Sequence, residues 1–111
     1  AFDVSVNILF NPENEGYPVT FNTEAETAIA LRAAQAVVGE SCVNEQPTPS
    51  MGAEDFGYYS QKIPGCFYRL GTGNKAMGIV SGVHTPTFNI DESAIQTGMA
   101  MMAWLGSTVE P

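Results

Sequence analysis

Basic side chains are scarce in this sequence. Four lysines and arginines stand against twelve aspartates and glutamates in 111 residues, giving a formal charge of −8. A surface of that sign repels nucleic-acid phosphates and anionic lipid headgroups, which argues against both as partners. Long apolar runs are missing as well. Nothing approaches the roughly 20 residues that span a bilayer, so a membrane-embedded chain is excluded. The opening AFDVSVNILF has neither the basic flank nor the small-residue cleavage site of a signal peptide. Cysteine is limited to Cys42 and Cys66, too few for a disulfide framework, so free thiols are the expectation. These absences together predict a soluble, cytoplasmic chain.

The familiar catalytic motifs are also lacking. There is no His-Glu-x-x-His, no Cys-x-x-Cys, no P-loop and no Gly-x-Ser-x-Gly elbow. Gly71-Thr72-Gly73 has two of the three glycines of a dinucleotide fingerprint and reads as a turn. Between Phe56 and Ile90 there is no acid at all, although Lys62, Arg69, Lys75 and the single histidine, His84, fall there. Glycines crowd the same stretch. An acid-free, glycine-rich window is where backbone can approach an anionic ligand closely, or simply a set of tight loops.

What is present is enough for a core: 44% of residues are hydrophobic and 10% aromatic. Phe2, Val4, Val6, Ile8 and Phe10 alternate with Asp3, Ser5 and Asn7, the period of a half-buried strand. Asn11 to Gly16 ends it with turn formers, and Tyr17 to Asn22 reads as an extended linker. Thr23 and Glu26 have the spacing of a capping box, so a helix begins there; Ala25, Ala28, Ile29, Ala33, Ala36 and Val37 form its stripe and Gly39 its stop. A short strand is predicted at Cys42-Val43, a loop at Gln46 to Ser50, a helix over Ala53–Lys62 and a buried strand over Cys66–Leu70. Met77 to Asn89 is loop with at most a short strand. Asp91 caps a last helix whose face is led by Ile95, Met99 and Met102 and widened by Ala94, Gly98, Met101 and Leu105, with Gly106 as its end. The fold class read from this order is α/β.

His84 sits in Val83-His84-Thr85-Pro86, a loop stiffened by proline that can hold the ring in one direction. Asp91 and Glu92 follow and are candidate acceptors for its second nitrogen. A metal site takes three or four such ligands, so any others must come from segments not present.

Met51-Gly52-Ala53-Glu54-Asp55-Phe56, Pro64-Gly65, Leu70-Gly71-Thr72-Gly73, Val83-His84-Thr85-Pro86-Thr87-Phe88, Asp91-Glu92 and Gly98 resemble, in order and spacing, the amidohydrolase branch of the aminoacylase-type metallopeptidases. That branch includes hippurate hydrolase, N-acyl-amino-acid amidohydrolases and plant indoleacetyl-amino-acid hydrolases. Tyr17-Pro18-Val19-Thr20-Phe21-Asn22 resembles the return from that family's lid domain. The resemblance implies that residues 1–21 are the last strand of an α+β lid and dimerisation domain with its return linker. Residues 22–111 are then the C-terminal part of an α/β metal-dependent catalytic domain. It implies His84 as the last ligand of a two-ion site (zinc, manganese, cobalt or nickel), with the other ligands and the general-base glutamate upstream of this chain. Gly52, Ala53 and Glu54 then line the substrate pocket, Cys42 and Cys66 are structural, and this chain holds no catalytic residue of its own. The implied reaction is metal-assisted hydrolysis of N-acyl amino acids or small peptide-like amides, in a parent that dimerises through its lid. This chain alone is then expected to be inactive. The alternative is a non-catalytic fragment that binds or dimerises through the exposed edge of its first strand.

Overall fold

The computed structural model describes residues 2–8, 16–45 and 49–108. Three α-helices carry the structure: α1 (Glu24–Val38), α2 (Phe56–Ser60) and α3 (Ala94–Thr108), with 3₁₀ turns at Glu40–Cys42 and Lys75–Met77. Among the described residues there is no sheet, only an isolated antiparallel bridge between Asn74 and Ile79. The expected α/β layering is therefore not formed within these residues.

Each predicted strand shows why. Phe2, Val4, Val6 and Ile8 all stand open to water, as do the polar residues between them, so the alternation buries neither face. Phe10 and the turn from Asn11 to Glu15 lie outside the described residues, as do Gln46 to Thr48. Cys42 closes a 3₁₀ turn instead of starting a strand, because its N–H is taken by Gly39 O at 3.1 Å and that of Val43 by Glu40 O. Cys66 to Leu70 has no ladder partner among the described residues. A strand without a neighbour leaves its N–H and C=O groups to water.

Side chains replace part of that ladder. The Asn22 amide exchanges two hydrogen bonds with Phe67, Nδ2 donating to its carbonyl at 2.9 Å and Oδ1 accepting its N–H at 2.8 Å. Thr23 repeats the pattern at Gly65: its N–H donates to Gly65 O at 3.0 Å, and its Oγ1 accepts Gly65 N–H at 3.0 Å. Thr23 is the N-cap of α1 as expected, yet its hydroxyl does not cap the helix N–H groups. It meets the Glu26 carboxylate and Gly65 instead. The capping residue is thus spent on a long-range contact.

The core is three residues: Ala30 and Ala33 of α1 against Met101 of α3, flanked by Ala34, Cys66, Trp104 and Leu105. The predicted stripes hold in part: Ala33 of α1 and Ala94, Gly98, Met101 and Leu105 of α3 lie inward as expected, whereas other stripe residues are exposed. In α1, Ala25, Ala28 and Ala36 are exposed while Ala30, Ala33 and Ala34 face α3; small side chains permit that close approach. In α3, Ala94, Thr97, Gly98, Met101, Trp104 and Leu105 form the inner face. Ile95, Met99 and Met102 point outward, so α3 is apolar on both sides, the pattern of a helix made to be covered all round. The helix also runs through Gly106 to Thr108, where the Ser107 and Thr108 hydroxyls both donate back to the Trp104 carbonyl at 2.9 Å.

Exposed surface measures the shortfall. The structure exposes 9611 Å², whereas a compact domain of this mass exposes roughly 5,900 Å². Its radius of gyration is 18.9 Å, against about 13 Å for a compact chain of this length.

The helix α2 is shorter than its pattern predicts, starting after Asp55 instead of at Ala53, because Glu54 Oε1 accepts the Phe56 N–H at 3.3 Å. Its Gly57 is buried against the linker: a Cβ there would lie 2.5 Å from Pro18 O. Carbonyl backbone cannot yield as a side-chain tip can, so Gly57→Ala is expected to cost about 1–3 kcal/mol. Gly65→Ala, which would meet only the Phe56 ring edge at 3.1 Å, should cost less. Urea denaturation of both variants checks this; equal midpoints would refute the close packing of α2 on Pro18.

Candidate functional site

The excursion from Lys75 to Ile90 carries His84, and its base is tied by polar groups. Asn74 and Ile79 exchange backbone hydrogen bonds of 2.9 and 2.8 Å. Asn74 Oδ1 caps the following 3₁₀ turn by accepting from Ala76 and Met77 N–H, while its Nδ2 donates to Asp91 Oδ2 at 2.6 Å. Asp91 N–H in turn donates to Thr72 O at 2.8 Å. One asparagine thereby holds both ends of the loop.

Nearer its tip the loop is braced again. Thr85 Oγ1 donates to Gly82 O at 2.8 Å, Phe88 N–H to Thr85 O at 3.1 Å, and the hydroxyls of Ser81 and Thr87 meet at 2.8 Å. Inside that brace His84 has φ +64°, the left-handed region, the only non-glycine described residue with positive φ. Such a conformation costs roughly 1–2 kcal/mol for a residue with a Cβ, and persists where the surrounding bonds enforce it. The imidazole is exposed.

Of the two expected partners of that ring, Asp91 is engaged elsewhere. Asp91 spends its carboxylate on Asn74 and on Ser93 N–H, the latter at 3.0 Å, so it anchors the loop and starts α3 instead of orienting His84. Among the described residues no three His, Cys, Asp or Glu side chains converge closely enough to hold a metal ion. His84 can offer one donor, and the described residues do not complete a site around it.

Gly52, Ala53 and Glu54 lie apart from this loop. They line a groove of about 1310 Å³ floored by Leu31, Ala34 and Val38 of α1, Gly98 and Met101 of α3, and Cys66 to Gly73. His84 is not among its lining residues, so the structure does not bring the two predicted site segments together. Of the bases in the acid-free window, Arg69 alone lines the groove. Asn74 and Asn22, which organise the loop and the linker, were legible in the sequence only as turn and linker residues.

Comparison with known proteins adds to this geometry. The model of peptidase family M20/M25/M40 matches residues 4–105. The chain is 37% identical over 94 residues to a protein of Arabidopsis thaliana named IAA-amino acid hydrolase ILR1-like 6, covering 85% of this chain and 20% of that protein. It is 37% identical over 102 residues to an uncharacterized hydrolase of Staphylococcus aureus (82% of this chain, 25% of the relative). It is 36% identical over 89 residues to a probable hydrolase of Synechocystis (80% and 23%). The chain thus spans a quarter or less of the length of these curated relatives. No solved structure matches it.

The loop base makes a pH prediction. The Asn74 amide, and then the hydrogen bonds from Ser93, hold the Asp91 carboxyl below its ordinary value. A depressed carboxyl favours the folded loop above the ordinary Asp range near pH 3.9, and that contribution is lost as pH falls through the lowered value. Protection factors of the amides across residues 75–90, which are corrected for the intrinsic pH dependence of exchange, should therefore fall on acidification. In Asn74→Ala the Asp91 carboxyl, followed by NMR, should titrate closer to its ordinary range. An unchanged Asp91 titration in that variant would refute the tie.

Proposed function

The chain belongs to peptidase family M20/M25/M40, and from that premise we propose that it is the segment of a metal-dependent amidohydrolase that supplies one histidine donor, His84. The observation that carries the reading is the family match over residues 4–105 combined with a single imidazole, exposed on a braced loop in a left-handed conformation. A ligand histidine needs an accessible ring on a defined backbone; the exposure of His84 and the braced loop around it support the reading. The remaining donors and the general base then belong to polypeptide outside this chain. A pair of divalent ions (zinc, manganese, cobalt or nickel) would polarise the scissile carbonyl and make bound water nucleophilic near neutral pH.

This chain's own residues have narrower tasks. Asn74 and Asp91 fix the loop that presents His84. Gly52, Ala53 and Glu54 line a substrate groove, with Arg69 available for a carboxylate. The substrate class we propose is an N-acyl amino acid, hippurate-like, or a small peptide-like amide; the name of the Arabidopsis relative, which specifies an amino-acid conjugate, supports that choice. Residues 1–21 are assigned to the end of a lid through which the parent dimerises, and residues 22–111 to the catalytic domain. We place the parent in the cytoplasm; no helix of the described residues is long and apolar enough to cross a membrane.

The 111-residue chain with Mn²⁺ or Zn²⁺ should not turn over hippurate or indoleacetyl-amino acids, since one donor cannot assemble the site. In the parent-length protein His84→Ala should lower kcat/KM by at least about a hundredfold, the upper end of what losing an outer-shell partner costs, and reduce bound metal while circular dichroism is unchanged. Retained metal and activity would refute the assignment.

A further inference from the structure

Beside α2 lies a second recess, of about 490 Å³, lined by Gly16, Tyr17, Asp55, Tyr58 and Tyr59; of these only Tyr17 also lines the groove. We propose that this recess binds an organic cation, an alkylammonium group carried by a small molecule or a peptide side chain.

Three features support it. The recess is built from aromatic rings and one carboxylate, with no lysine or arginine in its lining. Aromatic faces carry negative quadrupole density and attract ammonium groups, most strongly when several surround the charge. Asp55 supplies the opposite full charge and repels anions. Second, the rings are held in position. The close approach of Gly57 to Pro18 O sets Tyr17 against α2, leaving the Tyr17 and Tyr58 centroids 5.9 Å apart at 58°. Tyr59 is fixed by stacking on Phe56 at 6.3 Å. Third, the rings are not spent on the core: Tyr17, Tyr58 and Tyr59 are 57%, 51% and 62% exposed. Asp55, by its charge and then a hydrogen bond, raises the Tyr17 hydroxyl above its usual pKa. The volume lies within the range of small-ligand sites. The site is separate from His84, so it stands or falls independently of the metal reading.

NMR titration of the full chain tests this, using choline, a blocked trimethyllysine peptide, and dimethylbutanol as the neutral carbon isostere of choline. Both cations should give saturable shifts of the Tyr17, Tyr58 and Tyr59 ring signals, and the tighter of the two identifies the source of the ligand. Dimethylbutanol should not. Tyr58→Leu, which keeps apolar area but loses the ring face, should weaken cation binding about fivefold, Asp55→Asn should weaken it too, and Tyr58→Phe should retain it as the folding control. Equal shifts with the neutral isostere, no saturable shift with either cation, or undiminished binding in folded Tyr58→Leu would overturn the proposal.

Discussion

The Asn22 amide exchanges two hydrogen bonds with the Phe67 backbone, and Thr23 exchanges two with Gly65. Through these four bonds α1 is fastened to an extended segment that has no strand beside it among the described residues. Each such bond contributes only about 0.5–1.5 kcal/mol net, so the fastening is modest. It matters because apolar burial supplies so little: among the described residues Ala30, Ala33 and Met101 alone form the buried core. The apolar outer face of α3 and the open segment from Phe2 to Ile8 are left to water. A chain organised this way orients its parts well and stabilises them weakly.

That balance explains which features the sequence disclosed. Both long helices were legible, because Thr23, Gly39 and Asp91 mark three of their ends, although the Thr23 hydroxyl turns to Gly65 instead of capping. The faces were legible only in part. Ile95, Met99 and Met102 repeat at helical spacing as cleanly as the true inner face does, and periodicity cannot rank two apolar faces when one partner is absent. The alternation at Phe2 to Ile8 and the apolar run from Cys66 to Leu70 are honest strand patterns, but a strand forms only against a neighbour's backbone. Composition names the propensity; the neighbour decides the outcome.

The candidate site divides in the same way. The motif around His84 identified the residue, and the structure adds what a motif could not: a left-handed backbone, a braced tip and a base closed by Asn74 and Asp91. The expected outer-shell part for Asp91 gave way because Asn74 and the start of α3 claim its carboxylate first. Gly52 to Glu54 do line a groove, though one that His84 does not enter. Membership of peptidase family M20/M25/M40, with coverage of a quarter or less of its curated relatives, fits one donor on a well-made loop.

The central claim is that His84 is a metal donor whose companions lie on other polypeptide. Anomalous diffraction from crystals of the parent-length protein grown with zinc measures it directly. The account predicts a metal peak about 2.0–2.1 Å from one His84 ring nitrogen. A fully occupied metal centre with the His84 ring pointing elsewhere would contradict it.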